Sequence, residues 1–148
     1  MKRYQIEKIQ CQWEKGSPIK ALSQGFLVEG KGLEGDFHSV GGDKQLTLMG
    51  SAGEAWMEKQ DPPGLCFPRV KANLILKGSL SNLEQGDVLT LGAAQVVITQ
   101  RGKGCPFKNC PVGMERCALQ QEMCYTRVIR GGAIKSIAEE SAGPGKEC

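Results

Sequence analysis

The sequence predicts a mostly β fold, namely a closed or nearly closed β-barrel with one or two short helices. Frequent turns are the first observation, since the chain of 148 residues contains 20 glycines and 7 prolines. Short alternating apolar runs and two glycine-centred hairpin signals are the others. We expect about seven or eight strands in a single domain over residues 1–148, with a flexible tail over residues 138–148.

The N-terminal half predicts strands separated by a long loop and followed by a helix. The stretch YQIEKIQCQW (residues 4–13) alternates, which predicts a first strand with Tyr4, Ile6 and Lys8 on one face. Residues 24–49 predict a strand, a long glycine-rich loop and a second strand. SAGEAWMEKQ (residues 51–60) predicts a short helix with Ser51 as its N-cap and Glu54 at the capping-box position.

The C-terminal half predicts a strand, a hairpin, a short helix and a second hairpin. VKANLILKG (residues 70–78) is a strand, and DVLTLGAAQVVITQRG (residues 87–102) is a hairpin centred on Gly92-Ala93. MERCALQQEM (residues 114–123) predicts the helix. CYTRVIRGGAIKSI (residues 124–137) predicts the second hairpin, in which Gly131-Gly132 supply the positive φ of a tight turn.

Composition excludes some classes of function. The net charge of +3 is too small to indicate nucleic-acid binding by itself, and no run approaches the roughly 18 apolar residues of a membrane span. No apolar run follows the basic start, so we expect a cytoplasmic protein. In a reducing compartment the seven cysteines are expected to be thiols, metal ligands or catalysts rather than disulfides.

Four cysteines lie close together at residues 105, 110, 117 and 124. Structural zinc sites pair their ligands as C-x2-4-C, and only Cys105 and Cys110 come near that spacing. No Asp or Glu occurs from Val88 to Met114, whereas Arg101, Lys103 and Lys108 flank Cys105. Positive charge favours the thiolate, so Cys105 is either a reactive thiol or a buried small apolar residue beside solvated lysines.

A polar, glycine-rich loop at residues 32–45 contains His38, which is the single histidine of the chain, together with Asp36, Lys44 and Gln45. Such loops often carry functional residues on a rigid scaffold. His38 is either a proton donor, ligand or hydrogen-bond partner, or a residue that caps a turn. The loop is not a P-loop, because no Gly-Lys-Ser/Thr follows it.

Five stretches in this order resemble the MOSC domain, named for the C-terminal domain of molybdenum cofactor sulfurases, and in particular its small stand-alone bacterial members. They are GLEGDFHSVGGDKQLTLM, ANLILKG, LEQGDVLTLG, VVITQRGKGC and CALQQEMCYTRVIRGGAIK. The resemblance extends from Tyr4 to Ile137. It implies a β-rich, barrel-like fold and a cysteine, here Cys105, that carries persulfide sulfur or contacts molybdenum.

The resemblance also implies roles for other residues. Cys110 and Cys117 match secondary cysteines that would act as resolving thiols, and Cys124 is left as a packing residue. The implied catalytic residues are Cys105, His38 and Asp36, with Cys105 also the ligand to molybdenum. The implied residues for binding the molybdenum cofactor (molybdopterin) are Lys44, Gln45, Asn73, Arg101, Lys103, Lys108 and Arg127.

Two departures from the family pattern bear on the site and on the barrel, in addition to Cys124, which stands where a glycine or another small residue is common. Lys44 replaces a usual arginine and loses bidentate anion binding, and SIAEE replaces a usual Gly-Asp after the final hairpin. The first weakens the expected contact with a pterin phosphate. The second indicates an altered closure of the barrel.

The leading hypothesis is a sulfur carrier or sulfurtransferase module that interacts with the molybdenum cofactor. Its expected partners are a cysteine desulfurase or other sulfur donor and a molybdoenzyme client, with no nucleic acid or membrane. Pyridoxal phosphate is not expected, because the chain is too short for a desulfurase domain. Two alternatives stay open: a molybdenum-dependent reductase component with Cys105 as metal ligand, and a non-catalytic zinc- or partner-binding module.

Overall fold

The computed structural model describes residues 2–14, 16–36, 41–42, 45–62, 64, 67, 70–102 and 117–137. Within these residues lie eleven strands and two helices, so the prediction of a mostly β fold with short helices is confirmed. The strands are β1 (Lys2–Arg3), β2 (Ile6–Cys11), β3 (Lys20–Leu22), β4 (Gln24–Val28), β5 (Gly32–Leu33), β6 (Leu46–Gly50), β7 (Leu74–Leu76), β8 (Val88–Leu91), β9 (Ala94–Arg101), β10 (Met123–Arg130) and β11 (Gly132–Lys135). The helices are α1 (Ser51–Glu58) and α2 (Leu119–Glu122).

The strands form two sheets that curl without closing. The larger sheet has the order β1-β8-β9-β10-β6-β7-β2-β3, and the smaller has the order β11-β4-β5. Strand β4 follows β3 almost directly but pairs with β11 and β5, so the larger sheet keeps β1 and β3 as edges. The prediction of a closed or nearly closed barrel is therefore confirmed as a barrel-like fold and corrected in its closure, because the larger sheet is a curled half-barrel of eight strands.

The second predicted hairpin is wrong, whereas the first is confirmed. Strands β8 and β9 pair around Gly92, which has φ +58. Strand β10 instead pairs with β9 and β6, and β11 pairs with β4. Gly132 has no positive φ and is needed for close packing, since a Cβ there would lie 2.5 Å from the carbonyl oxygen of Ala93.

The larger sheet has an inner and an outer face. The inner face packs apolar side chains such as Ile9, Leu48 and Leu74 into the main core. The outer face carries Met49, Ile75 and Met123, which pack with residues of both helices. Tyr4, Ile6 and Lys8 do not share a face as predicted, because an irregularity between Ile6 and Lys8 turns Lys8 outward.

Helix α1 starts where the sequence predicts, but its N-terminal contacts differ. The N-cap is Gly50, which makes no side-chain capping bond. The Ser51 hydroxyl instead accepts a hydrogen bond from Gly78 N at 2.8 Å, and Glu54 pairs with Lys8 at 2.9 Å. Ser51 and Glu54, which the local spacing predicts to form a capping box, instead make tertiary contacts. Neither described helix is long and apolar enough to cross a membrane.

Candidate functional site

The structure describes half of the residues that the sequence predicts for the site. Asp36, Gln45, Asn73, Arg101, Cys117 and Arg127 are described. His38, Lys44, Lys103, Cys105, Lys108 and Cys110 lie outside the described residues, so their predicted roles stay predictions.

A row of polar side chains crosses the outer face of the larger sheet, next to the apolar residues that pack with the helices. Tyr125 pairs with Gln100 and with Thr47, and Asn73 and Gln10 continue the line on the next two strands. We call these five residues the polar row. Of the residues that the sequence predicts, Asn73 belongs to this row, Arg127 lies two residues beyond Tyr125, and Gln45 lies two residues before Thr47.

Asn73 holds three strands together at the start of β7. Its Oδ1 accepts a hydrogen bond from Thr47 N at 3.0 Å, and its Nδ2 donates to the carbonyl of Gln10 at 3.5 Å. Its backbone N donates to Thr47 O at 2.9 Å, and its carbonyl accepts from Gln10 N at 2.7 Å. Asn73 therefore extends the ladder between β6, β7 and β2 by one position, and its side chain is buried.

Replacing Asn73 with alanine is expected to lower the free energy of unfolding by about 1–3 kcal/mol, because the half-buried Thr47 N would lose its acceptor. Urea denaturation of the purified chain measures the change. The matched control is Asn82→Ala, since Asn82 is an exposed asparagine of a loop and its loss should stay within about 0.5 kcal/mol. Equal losses for both variants would contradict the structural role of Asn73.

Gln45 and Asp36 fix the two ends of the glycine-rich loop. The Gln45 Oε1 accepts from Val128 N at 3.0 Å, while its Nε2 donates to Gly42 O at 2.8 Å. Asp36 Oδ1 accepts from Gln12 N at 2.8 Å. Both side chains are buried, so the loop that contains His38 leaves and rejoins the sheet at fixed points beside the polar row.

The chain on either side of residues 103–116 is held in one place. Gly102 N donates to Met123 O at 2.8 Å, and Arg101 Nη2 donates to Gln121 O at 2.7 Å. Gly102 has φ +76, and a Cβ there would lie 2.9 Å from Gln120 O. The described residues on the two sides of the cysteine-containing segment (residues 103–116) are therefore hydrogen-bonded to each other at the end of β9. We call these contacts the base of the segment.

Arg101 does not join the polar row. It pairs with Cys124, whose side chain belongs to the inner core, and its Nη1 donates to the carbonyls of Ser81 and Leu83. The Arg101 guanidinium thus ties residues 81–83 to the base of the cysteine segment. Its predicted contact with a cofactor stays a prediction.

Glu122 is a buried carboxylate that the sequence analysis did not single out. Its Oε1 accepts from Leu80 N at 2.6 Å, and its Oε2 accepts from the Ser79 hydroxyl at 2.5 Å. A Cβ on Gly50 would lie 2.8 Å from Glu122 Oε1, and one on Gly53 would lie 2.6 Å from Glu122 Cβ. Glu122 therefore joins α2 to the chain after β7 and to the start of α1.

The cysteines that are described fall into three environments. Cys11 is fully buried and disulfide-bonded, which corrects for this residue the expectation of thiols, metal ligands or catalysts rather than disulfides. Cys117 is a half-buried thiol that packs against the outer apolar cluster. Cys124 is a thiol with 1% exposure in the main core, which confirms it as a packing residue.

Tyr125 and Thr47 are two of the four members of the polar row that sequence reasoning missed. Both are half-buried, and burial raises the pKa of Tyr125. The available signal was the spacing of Tyr125 from Arg127, because residues two apart in a strand share a face. Thr47 became visible only when β6 was paired with β10.

Two surface cavities lie away from the polar row. One, of about 460 Å³, is lined by residues of the smaller sheet and its neighbours, including Phe26, Glu34 and Lys135. The other, of about 480 Å³, lies beside β8 and includes Lys2 and Asp87. Among the described residues no group of three or more His, Cys, Asp or Glu side chains could hold a metal ion.

The fold is MOSC-like. It is similar to the YuaD protein from Bacillus subtilis, with a TM-score of 0.66 and 16% identity over 90% of this chain and 91% of that one. It is also similar to YiiM from Escherichia coli, a MOSC-domain protein, with a TM-score of 0.57 and 19% identity over 89% of this chain. For YiiM from Geobacillus stearothermophilus the TM-score is 0.53 at 17% identity.

These similarities concern the fold. This chain spans 65% of the length of YiiM from Escherichia coli and 71% of the Geobacillus protein. No family model matches the sequence, and no curated protein matches it.

Proposed function

We propose that this chain is a sulfur carrier that interacts with the molybdenum cofactor, with Cys105 as the residue that accepts sulfur. The observation that supports it most is that several of the predicted site features lie on one side of the sheet. The ends of the glycine-rich loop, the base of the cysteine segment, Asn73 and Arg127 all lie along or beside the polar row. The MOSC-like fold adds general support.

The described residues suit an anionic partner. The five members of the polar row are neutral, and Arg127 and Lys71 supply exposed positive charge beside it. The Asp36 carboxylate is turned to the backbone of Gln12. Of the predicted cofactor residues, Arg127 would hold an anionic group, while Gln45 and Asn73 position the backbone around it. The cofactor would supply the metal that receives the sulfur.

The chemistry of the carrier step needs a single thiolate. The Cys105 thiolate attacks the outer sulfur of a donor persulfide, so that a new S–S bond forms on Cys105 and the donor cysteine leaves as a thiolate. Release follows when a second thiol, Cys110 or Cys117, attacks Cys105 Sγ. That attack forms a disulfide and frees the outer sulfur as hydrosulfide, and a thiol reductant restores the pair. Cys117 lies next to the base of the segment, which suits this role.

The Cys105→Ala variant tests the proposal. After incubation with a cysteine desulfurase and cysteine, mass spectrometry of peptides should find one added sulfur atom on Cys105 of the wild type. The variant should carry none, because the attacking thiolate is gone. Cys148→Ala is the matched control and should load sulfur normally, since its cysteine lies in the tail.

Rates of alkylation by iodoacetamide provide a second measurement, and Cys105 should react fastest near neutral pH. Sulfur found on Cys148, or on no cysteine, would contradict the carrier function. Protein purified anaerobically with bound molybdenum but without sulfane sulfur would favour the reductase alternative.

A further inference from the structure

The geometry points to Tyr125 and Arg127 as the floor of a binding site for a ring-bearing anion on the outer face of the larger sheet. Tyr125 would stack under the ring of the ligand, and Arg127 would pair with its anionic group. The inference deepens the proposed function and rests on it for the class of ligand. The assignment of Tyr125 comes from the arrangement of the strands.

Strand register places the two side chains next to each other. Tyr125 and Arg127 are two residues apart on β10, so they share a face at a separation of about 7 Å. Cys124, Thr126 and Val128 alternate with them and are buried on the inner side. Tyr125 lies directly opposite Thr47, with Cβ atoms about 5 Å apart for such a pair. A tyrosine ring, a hydroxyl and a guanidinium thus lie within the span of one small ligand.

The backbone of Tyr125 is held in place from both sides. Its strand is paired on both sides, with β6 and with β9, and its carbonyl accepts a hydrogen bond from the Thr99 hydroxyl at 3.1 Å. Asn73 fixes the neighbouring strand through Thr47. An aromatic ring on a backbone held in this way has few torsions to lose when a planar group stacks on it, which is why such rings serve as stacking platforms.

The chemistry of the side chains favours an anion. Burial raises the pKa of Tyr125, so the phenol keeps its proton at neutral pH and can donate a hydrogen bond. Arg127 is exposed and presents a planar fork of N–H donors, which matches carboxylate or phosphate oxygens. If Tyr125 served only in packing, replacing it would change the free energy of unfolding but would not change ligand binding.

Binding of pterin-6-carboxylate, a planar anion, to the purified full chain tests the inference. Tyr125→Ala should weaken binding by about tenfold or more, the size expected when one stacking partner is removed. Tyr125→Phe keeps the ring and should stay within about threefold. Arg127→Gln should also weaken binding by about tenfold, and it should flatten the dependence on salt. The control is Ile129→Ala, a partly exposed position further along β10, which should bind as the wild type does.

Two results would overturn the inference. One is a wild type that does not bind the probe, and the other is a Tyr125→Ala variant that binds as tightly as the wild type. If Tyr125→Ala does not fold, Tyr125→Leu keeps the apolar bulk without the ring and carries the same expectation. Sulfur loading of Cys105 is measured separately. A wild type that does not load sulfur on Cys105 would contradict the carrier function. Unchanged ligand binding in Tyr125→Ala or Tyr125→Leu would contradict only the Tyr125 site.

Discussion

Raising the pH above 9 is expected to destabilise the folded protein through Cys124. Burial raises the pKa of this thiol to about 12 from its ordinary value of 9.0, partly offset by the nearby Arg101. Between these two values the unfolded chain loses the proton while the folded chain keeps it, so the free energy of unfolding falls as the pH rises. The loss is about 1.4 kcal/mol per pH unit, and it approaches about 4 kcal/mol near pH 12.

The stabilising effect of the neutral thiol is complete below pH 9 and disappears as the pH passes through the folded-state pKa. Urea denaturation of the wild type and of Cys124→Ala at pH 8, 9, 10 and 11 measures it. The difference in stability between the two proteins should shift against the wild type by about 1.4 kcal/mol for each unit above pH 9.

Tyr4 and Tyr125 also have a pKa raised chiefly by burial, but the pKa of Tyr4 is raised further by Cys124, so only Tyr125 contributes equally to the two proteins. The comparison therefore measures the ionisation of Cys124 together with its electrostatic coupling to Tyr4. A constant difference from pH 8 to pH 11 would contradict the prediction, because it would mean that Cys124 ionises as readily in the folded chain as in the unfolded one.

Replacing Glu122 with alanine is expected to lower the free energy of unfolding by about 3 kcal/mol or more. The carboxylate accepts two short hydrogen bonds, from the Ser79 hydroxyl and from Leu80 N, and the side chain is 6% exposed. Removal leaves the Leu80 N–H buried without its acceptor and opens space beside Gly50 and Gly53. Both effects are costly in a region where three segments meet.

Two variants make this test specific. Glu122→Gln keeps the shape and one carbonyl acceptor for Leu80 N, so its loss should be about half that of the alanine variant or less. Glu58→Ala, at the exposed end of α1, should change stability by less than about 0.5 kcal/mol. A Glu122→Ala variant that resembles Glu58→Ala in urea denaturation would show that the carboxylate does not join these segments.

Local patterns predicted most of the strands and the position of helix α1, because alternation and glycine turns act over a few residues. Gly131 and Gly132 show where such patterns fail. A Gly-Gly pair between two apolar runs indicates a tight turn. Here, however, a glycine is needed at position 132 because a side chain would collide with the backbone of Ala93. A pattern of about ten consecutive residues cannot predict a contact between residues about 40 apart in sequence.

The candidate site shows the same division. Residues such as Asn73, Gln45 and Arg127 were predicted from an ordered series of motifs, and the sheet does bring them to one side of the molecule. Their tasks were not predictable, since Gln45 and Asn73 satisfy backbone groups of neighbouring strands. Arg101 was grouped with them by charge, but its pairing with Cys124 directs it to the inner side.

The sequence by itself determined the class of fold and the absence of Asp and Glu from the stretch of sequence around Cys105, because both depend on the order of residue types along the chain. Only the tertiary structure decided that the half-barrel stays open, that Glu122 joins α2 to the chain after β7 and to the start of α1, and that Tyr125 lies beside Arg127 and Thr47. Those features depend on which strands pair and in what register. A shift of one residue in that register would turn Tyr125 into the core and bring Cys124 to the outer face.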